Sequence, residues 1–254
     1  MLGFLLNVIK VSGIILKDTC MSPGVIALTF DEGPTGHTAD ILEELDDLDC
    51  PATFHFTVQN RSRGNIRALY KRAVDENHTV GLRVNPGRDY NSMTADEIDE
   101  DIEAQIDALK DATGGEDVKF GRAPVDYGDV NQDVYNTFMR NNITQTGYMY
   151  CLYDDANDPD EAIANYKNIL NDSNPRYDSF IFLLHDEKEK SFPLLRDMIE
   201  IGREQGYEFV TLEQCLSGYS PEEGTYEGRK KKRKSSAADV INTAVFTVYS
   251  CLMM

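Results

Sequence analysis

Residues 28–34 have the sequence Leu-Thr-Phe-Asp-Glu-Gly-Pro, which predicts a buried strand that ends in two adjacent carboxylates and a Gly-Pro turn. Two neighbouring carboxylates at the end of a strand repel each other unless a cation or a proton gives them different roles. The pair Asp31 and Glu32 therefore suits a site in which one side chain binds a metal ion and the other accepts a proton. A solvated acidic turn is the alternative interpretation.

Strand-like and helix-like segments alternate along the chain. Extended segments are predicted at residues 25–30, 52–58, 79–84, 118–120, 148–153, 180–184 and 209–212. Helices are predicted at residues 39–48, 63–74, 133–140, 161–170 and 192–205, together with one that begins at Thr94 and stops at Gly114. Thr94 and Glu97 have the spacing of a capping box. The alternation predicts a mostly parallel sheet with helical crossovers, either a barrel or a doubly wound sheet.

Length and charge narrow the class of protein. The chain has 254 residues, of which 41% are hydrophobic, and this length suits one α/β domain of barrel size. The formal net charge of -19 argues against nucleic-acid binding, because a phosphate polymer would be repelled over most of the surface. The sequence therefore predicts an acidic, single-domain protein with no nucleic-acid partner.

The two ends of the chain differ from the predicted domain, which we place at residues 20–218. Residues 1–19 suit either a signal segment or a first strand. Residues 219–254 contain a basic run at 229–234 and then an apolar tail at 240–254, which is short for a membrane span. The tail is either flexible or an anchoring segment that associates the protein with a membrane. The small residues at 235–238, just before the tail, resemble a lipid-anchor signal. The basic run suits a solvated segment, a patch for anionic lipid or a nuclear address.

Polar side chains stand next to several of the predicted strands. In a parallel α/β barrel, functional side chains lie where a strand ends and the next loop begins. Asp31 and Glu32 follow the first predicted strand, and His185 follows the strand at 180–184. We also assign His78 to this group, because it stands at the head of the segment 79–84. A structural histidine is the alternative for each imidazole.

Five motifs, in this order and at this rough spacing, resemble those of the polysaccharide deacetylase family. They are LTFDEGP at 28–34, ENHTVGLR at 76–83, FGRAPVDYG at 120–128, LYDDANDP at 152–159 and FLLHD at 182–186. The resemblance covers residues 20–218 and is closest to the fungal chitin deacetylases. It implies a distorted (β/α) barrel of the deacetylase type and metal-dependent removal of N-acetyl groups from chitin-like polymers. Zinc, cobalt or manganese would be the cofactor of an active protein.

The resemblance also implies catalytic roles for individual residues. Asp31 matches the general base, and Arg122 matches the arginine that holds the base in place. His185 matches the general acid. Asp158 matches an aspartate that orients the acid, with Asp155 as the rival alignment.

The implied metal site is incomplete. Glu32 occupies the position of a metal-binding aspartate, and His78 matches the first histidine of the family pattern H-[ST]-x-x-H. The second histidine of that pattern falls on Leu82, which cannot bind a metal, and Arg83 beside it adds a repelling cation. Because a catalytic zinc normally has three protein ligands, we expect Glu32 and His78 to be vestigial and no metal to be bound. A rescue in which His55 supplies a third ligand is the alternative.

The implied substrate site is altered as well. Leu184 matches the residue that lines the acetyl pocket, and Tyr127 matches the tyrosine whose backbone N–H stabilises the oxyanion. Val125 and Asp126 are inserted just before that tyrosine, and an acidic residue there opposes the negative charge of the transition state. Pro159 stands where the family has a tryptophan, which weakens the contact with a sugar ring.

Cys20 and Cys215 match positions that are disulfide-bonded in the fungal members, although two buried thiols are the alternative. A disulfide implies an oxidising compartment, and hence a secreted protein of the cell wall or cell surface, with or without a lipid anchor. We interpret the chain as a deacetylase-like protein that is impaired or inactive because Leu82 replaces a metal ligand, and that binds chitin-like polysaccharide weakly. An active metal-dependent deacetylase and an intracellular interaction protein are the alternatives.

Overall fold

The computed structural model describes residues 13–59, 62, 64–125, 128–152, 158–186 and 191–219, except for the side chains of 191–193. The basic run at 229–234, the apolar tail at 240–254 and most of the predicted signal segment lie outside these residues. Lys17, just before the predicted domain, forms an isolated parallel bridge with Thr146. Within the described ranges, no helix combines the length and the apolar character that a membrane crossing needs.

A parallel sheet forms the centre of the described part of the chain. Its strands are β1 (Val25–Asp31), β2 (Thr53–Phe56), β3 (Thr79–Arg83), β4 (Phe120–Arg122), β5 (Thr144–Gln145), β6 (Tyr150–Cys151), β7 (Phe180–His185) and β8 (Glu208–Phe209). The spatial order is β5-β4-β3-β2-β1-β7-β6, and β8 pairs with the beginning of β1. Each of these strand pairs is parallel, so the α/β prediction is confirmed.

The sheet forms a half-barrel, and helices surround it. They are α1 (Thr38–Asp47), α2 (Gly64–Asp75), α3 (Ala95–Thr113), α4 (Gln132–Arg140), α5 (Pro159–Asn171), α6 (Ser191–Glu204) and α7 (Leu212–Ser217), with a 3₁₀ turn at Tyr90–Ser92. The capping box predicted for Thr94 and Glu97 is present at the start of α3, and Gly114 ends that helix with a φ of 86°. The extended segment predicted at 209–212 is shorter, because Thr211 forms a second capping box and Leu212 begins α7.

Alternation along the strands divides their side chains between two faces. The outer face packs on the helices in a large core that contains Leu28, Phe30, Phe56 and Leu82. The inner face begins, at the amino ends of the strands, with a small apolar cluster around Ala27, Phe120 and Ile181. Toward the carboxyl ends the inner face becomes polar although it stays buried, and this change of character locates the site.

A disulfide joins Cys20 to Cys215, which are 195 residues apart in the sequence. The backbone N–H of Met21 also donates to the carbonyl of Cys215 at 2.9 Å. The bond fastens the segment before β1 to helix α7, as the resemblance implied.

Candidate functional site

Asp31 is the last residue of β1 and lies at the centre of the polar inner face. It is in register with His55 on β2 and with His185 on β7, and only 2% of its surface is exposed. Parallel strands bring their carboxyl ends to one edge of the sheet, so these three side chains come from residues far apart in sequence. His185 is half-buried at this edge.

Arg122, the last residue of β4, holds the carboxylate of Asp31. Its Nη1 donates to Oδ1 of Asp31 at 2.8 Å and to Oγ1 of Thr29 at 3.2 Å. Its Nη2 donates to the carbonyl of Gly147 at 2.7 Å, and the guanidinium carbon lies 5.5 Å from the ring centroid of Tyr148. These contacts fix the orientation of Arg122, and through it that of Asp31.

A second guanidinium, that of Arg83, binds both carboxylates of the motif at 28–34. Nε of Arg83 donates to Oε1 of Glu32 at 2.9 Å, and its Nη2 lies 2.8 Å from the same oxygen. Nε also lies 3.5 Å from Oδ2 of Asp31. Arg83 is the last residue of β3 and is almost fully buried. From the sequence, Arg83 is expected only to repel a metal ion bound nearby; the structure shows that it binds both carboxylates.

His55 faces this cluster, which settles an orientation that the sequence left open. Its Nδ1 lies 3.3 Å from Oδ1 of Asp31, although the contact is not aligned as a hydrogen bond. Its Nε2 lies 3.0 Å from Oγ1 of Thr146. Burial and the charge of Arg122 lower the pKa of His55 to about 4, so the imidazole is neutral at pH 7.

The charges of the cluster set the ionisation of Asp31. Burial alone would raise the pKa of this carboxyl group, but Arg122, His55 and Arg83 outweigh that effect and hold the pKa well below its usual range. Burial likewise opposes the charge of Arg83, yet the carboxylates of Asp31 and Glu32 raise its pKa. The site therefore holds Asp31 in its ionised form and places the carboxyl groups of Asp31 and Glu32 against two guanidinium groups.

Asp186 is a buried residue at this edge to which the sequence analysis gave no role. Its N–H donates to the carbonyl of Asp31 at 3.2 Å, and its Oδ2 accepts from Oγ1 of Thr38 at 2.8 Å. Burial, reinforced by the negative charges of Asp31 and Glu32, raises its pKa to about 8. The side chain also packs on the turn after β1, because a Cβ atom at Gly33 would lie 1.8 Å from Oδ2 of Asp186.

His78 does not lie in the site, which corrects the predicted pairing with Glu32. Its Nδ1 accepts from the N–H of Ala52, just before β2, at 3.1 Å, and its ring packs edge-on against Phe54. Gly81 is level with Asp31 across the sheet, so His78 lies about 10 Å back along the strand. The residue precedes β3, and the beginnings of parallel strands lie at the edge of the sheet opposite to their ends.

Leu82 and Leu184 are also placed differently from the predictions. Both have no exposed surface and belong to the core between the sheet and the helices. Leu184 therefore does not line the site, and Leu82 points away from the carboxylates that Arg83 reaches. Leu183, the neighbour of Leu184, is in register with Thr29 and therefore shares the inner face with Asp31.

Asp158 has a local structural role in the described part of the chain. It is the exposed N-cap of α5, and its side chain accepts from the N–H of Asp160 at 3.0 Å. The rival alignment, Asp155, and the predicted oxyanion residue, Tyr127, lie outside the described residues.

The residues at this edge do not fit a divalent metal ion. Zinc and related ions need about three protein ligands with nitrogen, oxygen or sulfur atoms. Within the described ranges, no group of three His, Cys, Asp or Glu side chains is close enough to hold an ion. Instead, the two carboxylates that would face the ion are bound by Arg83. The rescue that combined Glu32, His78 and His55 fails, because His78 lies at the other edge of the sheet.

Comparison with known proteins identifies the family. The sequence profile described as "Polysaccharide deacetylase" matches residues 18–151, so the chain belongs to the polysaccharide deacetylase family. A bifunctional xylanase/deacetylase of Pseudobutyrivibrio xylanivorans is 30% identical over 201 residues, which are 78% of this chain and 31% of that protein. This chain therefore spans about a third of that relative.

A chitin deacetylase of Colletotrichum lindemuthianum is 28% identical over 224 residues, which are 80% of this chain and 83% of that protein. Its solved structure superposes with a TM-score of 0.72 at 24% identity and covers 87% of this chain and 97% of its own. The structure of a CE4 family pseudoenzyme from Bacillus anthracis gives a TM-score of 0.67 at 20% identity, covering 80% of this chain and 69% of its own. The resemblance in sequence and the barrel prediction are thus confirmed.

Proposed function

We propose that this chain is a non-catalytic member of the polysaccharide deacetylase family. In this proposal it binds an acetylated polysaccharide of the chitin type at the carboxyl ends of its strands and does not hydrolyse it. The observation that carries the proposal is the double ion pair of Asp31, whose carboxylate is bound by Arg122 at 2.8 Å and lies 3.5 Å from Arg83.

The ion pairs make Asp31 a poor proton acceptor. A general base works best when its pKa lies near the working pH, whereas the guanidinium groups hold the pKa of this carboxyl group well below its usual range. A water molecule outside a metal site has a pKa of about 15.7, so it would have to give its proton to a much weaker base. Hydrolysis of an amide at Asp31 would therefore be slow.

The disulfide supports a location of the protein outside the cytosol. The Cys20–Cys215 bond favours an oxidising compartment, and hence a secreted or wall-associated protein. The same bond argues against the intracellular alternative in which the basic run is a nuclear address.

An active, metal-dependent deacetylase is the second candidate. Three residues with catalytic roles in the resemblance stand at the ends of strands. They are the base Asp31, the arginine that holds it, Arg122, and the acid His185. Relatives described as a chitin deacetylase and a bifunctional xylanase/deacetylase support this alternative. It requires a metal ion, or another source of hydroxide, beside Asp31.

Two measurements on the full chain separate these candidates. Acetate release from acetylated chito-oligosaccharides, with zinc, cobalt or manganese added, should be no faster than in buffer. Binding of the same oligosaccharides, measured by calorimetry, should be unchanged by EDTA and weakened by at least about threefold in His185→Ala, because that side chain lies at the proposed cleft.

Tyr177→Ala is the matched control for binding. Tyr177 is an exposed aromatic side chain in the turn before β7, at the opposite end of the barrel, so this variant should bind the sugar as the wild type does. Acetate release that requires added metal and disappears in Asp31→Asn would refute the non-catalytic proposal. Equal loss of binding in both alanine variants would refute the assignment of the cleft.

A further inference from the structure

We infer that Arg83 is a built-in cation that takes the place of a divalent metal ion between Asp31 and Glu32. One residue thus binds both carboxylates and closes the site to metal. The inference goes beyond the proposed function, because it concerns the cation at the carboxylates and holds whether or not the cleft binds a sugar.

The position of Arg83 in the sheet supports this inference. Arg83 ends β3 in register with Arg122 on β4, and its neighbour Leu82 points into the outer core. The side chain at position 83 is therefore the one that β3 delivers to the inner face, at the level of the carboxylates. Nη2 and Nε of Arg83 lie 2.8 and 2.9 Å from Oε1 of Glu32, and Nη1 donates to the carbonyl of Arg122 at 3.5 Å. These contacts fix the position of the guanidinium.

The charge balance supports it as well. Asp31 and Glu32 carry two negative charges, and Arg83 and Arg122 carry two positive charges in the same nearly closed space. A divalent ion bound to the carboxylates would stand within about 4 Å of a guanidinium group, where like charges in a buried site repel strongly. Metal binding would therefore require Arg83 to leave.

The backbone of Glu32 adds an independent observation. Its φ of 77° lies in the left-handed region, which a residue other than glycine adopts at a conformational cost. In this conformation the carboxylate of Glu32 meets the guanidinium of Arg83. The ion pair offsets the backbone cost and fixes the turn that follows β1.

The geometry also favours a different alignment of the family's histidine pattern with this sequence. If position 83 is the one that faces the carboxylates, the spacing of H-[ST]-x-x-H puts its second member at position 87. That position is Gly87, which is exposed and whose φ lies outside the left-handed region, so the backbone accepts a side chain there once the Asn85 side chain, whose Oδ1 would lie 3.3 Å from an added Cβ, shifts slightly. Histidines at 83 and 87 would supply two imidazoles, the first of them at the position that now faces Asp31 and Glu32.

Arg83→Ala tests the role of the built-in cation. Loss of the guanidinium leaves the buried carboxylate of Asp31 beside the partly buried carboxylate of Glu32, so in EDTA the melting temperature should fall by about 10 °C. Replacing EDTA by 1 mM zinc chloride should leave the melting temperatures of the wild type and of Arg83→Ala unchanged, because neither chain brings three zinc ligands together among the described residues. Arg67→Ala is the matched control, because Arg67 forms an exposed ion pair with Asp111 and its loss should shift the melting temperature by less than about 2 °C.

Two further variants keep the test decisive if Arg83→Ala does not fold. Arg83→Lys retains a positive charge and should stay folded and free of metal. The double variant Arg83→His with Gly87→His should retain about one zinc ion per chain in elemental analysis after gel filtration, whereas the wild type should retain none.

Two results would overturn the inference: stoichiometric zinc in the wild type, or an Arg83→Ala variant that is as stable as the Arg67→Ala control. Neither measurement uses a sugar, so a failure of the proposed carbohydrate binding would be seen separately.

Discussion

Replacing Arg122 by methionine removes one of the two guanidinium groups that balance the buried charge of Asp31. Breaking a buried ion pair by removing one partner costs about 3–5 kcal/mol. Arg83 still lies 3.5 Å from Oδ2 of Asp31, so we expect a value near the lower end of this range, about 3 kcal/mol. The carbonyl of Gly147 also loses its 2.7 Å donor, which adds about 1 kcal/mol. The expected loss in the free energy of unfolding is therefore about 4 kcal/mol at pH 7.

The loss should depend on pH in a direction that follows from the pKa of Asp31. In the wild type this pKa is held below its unfolded value, so the stability from Asp31 is present above the unfolded pKa and is lost as the pH falls through the folded pKa. Without Arg122 the pKa of Asp31 rises, because burial, the largest effect on this carboxyl group, is then opposed only by His55 and Arg83. The variant then gains stability relative to the wild type as the pH is lowered, and the difference between them shrinks as the pH falls toward about 4.

Urea unfolding, followed by circular dichroism at pH 7 and at pH 4.5, measures both effects. Arg67→Met is the control, because its ion pair with Asp111 is exposed and should contribute less than about 1 kcal/mol at either pH. A loss of stability in Arg122→Met no larger than in this control, or a loss of the same size at the two pH values, would contradict the expected role of Arg122.

Two more predictions concern the disulfide and the carboxyl group next to His185. Replacing Cys20 and Cys215 by serine should lower the free energy of unfolding by up to about 5 kcal/mol, because the bond closes a loop of about 195 residues; a loss below about 1 kcal/mol in urea unfolding would contradict this. Asp186→Asn should change stability at pH 7 by less than about 1 kcal/mol, since burial raises the pKa of Asp186 to about 8 and the carboxyl group is mostly protonated there. This raised pKa makes wild-type stability decline as the pH rises from 4 toward 8, and a decline of the same size in Asp186→Asn would show that Asp186 does not cause it.

Local patterns in the sequence were sufficient for most of the fold. The apolar segment that ends at Asp31 became β1, and Thr94 with Glu97 began α3 through its capping box. Such signals depend on neighbouring residues, so they can be recognised without the tertiary structure. The segment at 209–212 was harder to predict, because an apolar run of that length suits a strand or a helix. In the structure the capping box at Thr211 begins α7 there.

The site was predicted less completely, and the errors share one physical cause. His78 was paired with Glu32 because both stand next to strands, yet one lies before a strand and the other after one. Leu184 was predicted to line the site, but Leu183 is the residue that shares a face with Asp31, because a shift of one residue moves a side chain to the other face of a sheet. Arg83 and Asp186 were present in the quoted motifs, each as the last residue, and received no functional role.

By itself, the sequence determined the class of fold, the family motifs and the two carboxylates at the end of the first strand, because these depend on local order along the chain. Only the tertiary structure decided which side chain meets those carboxylates. That choice depends on strand register and on the face to which each residue points, and it selected the guanidinium of Arg83 over the imidazole of His78.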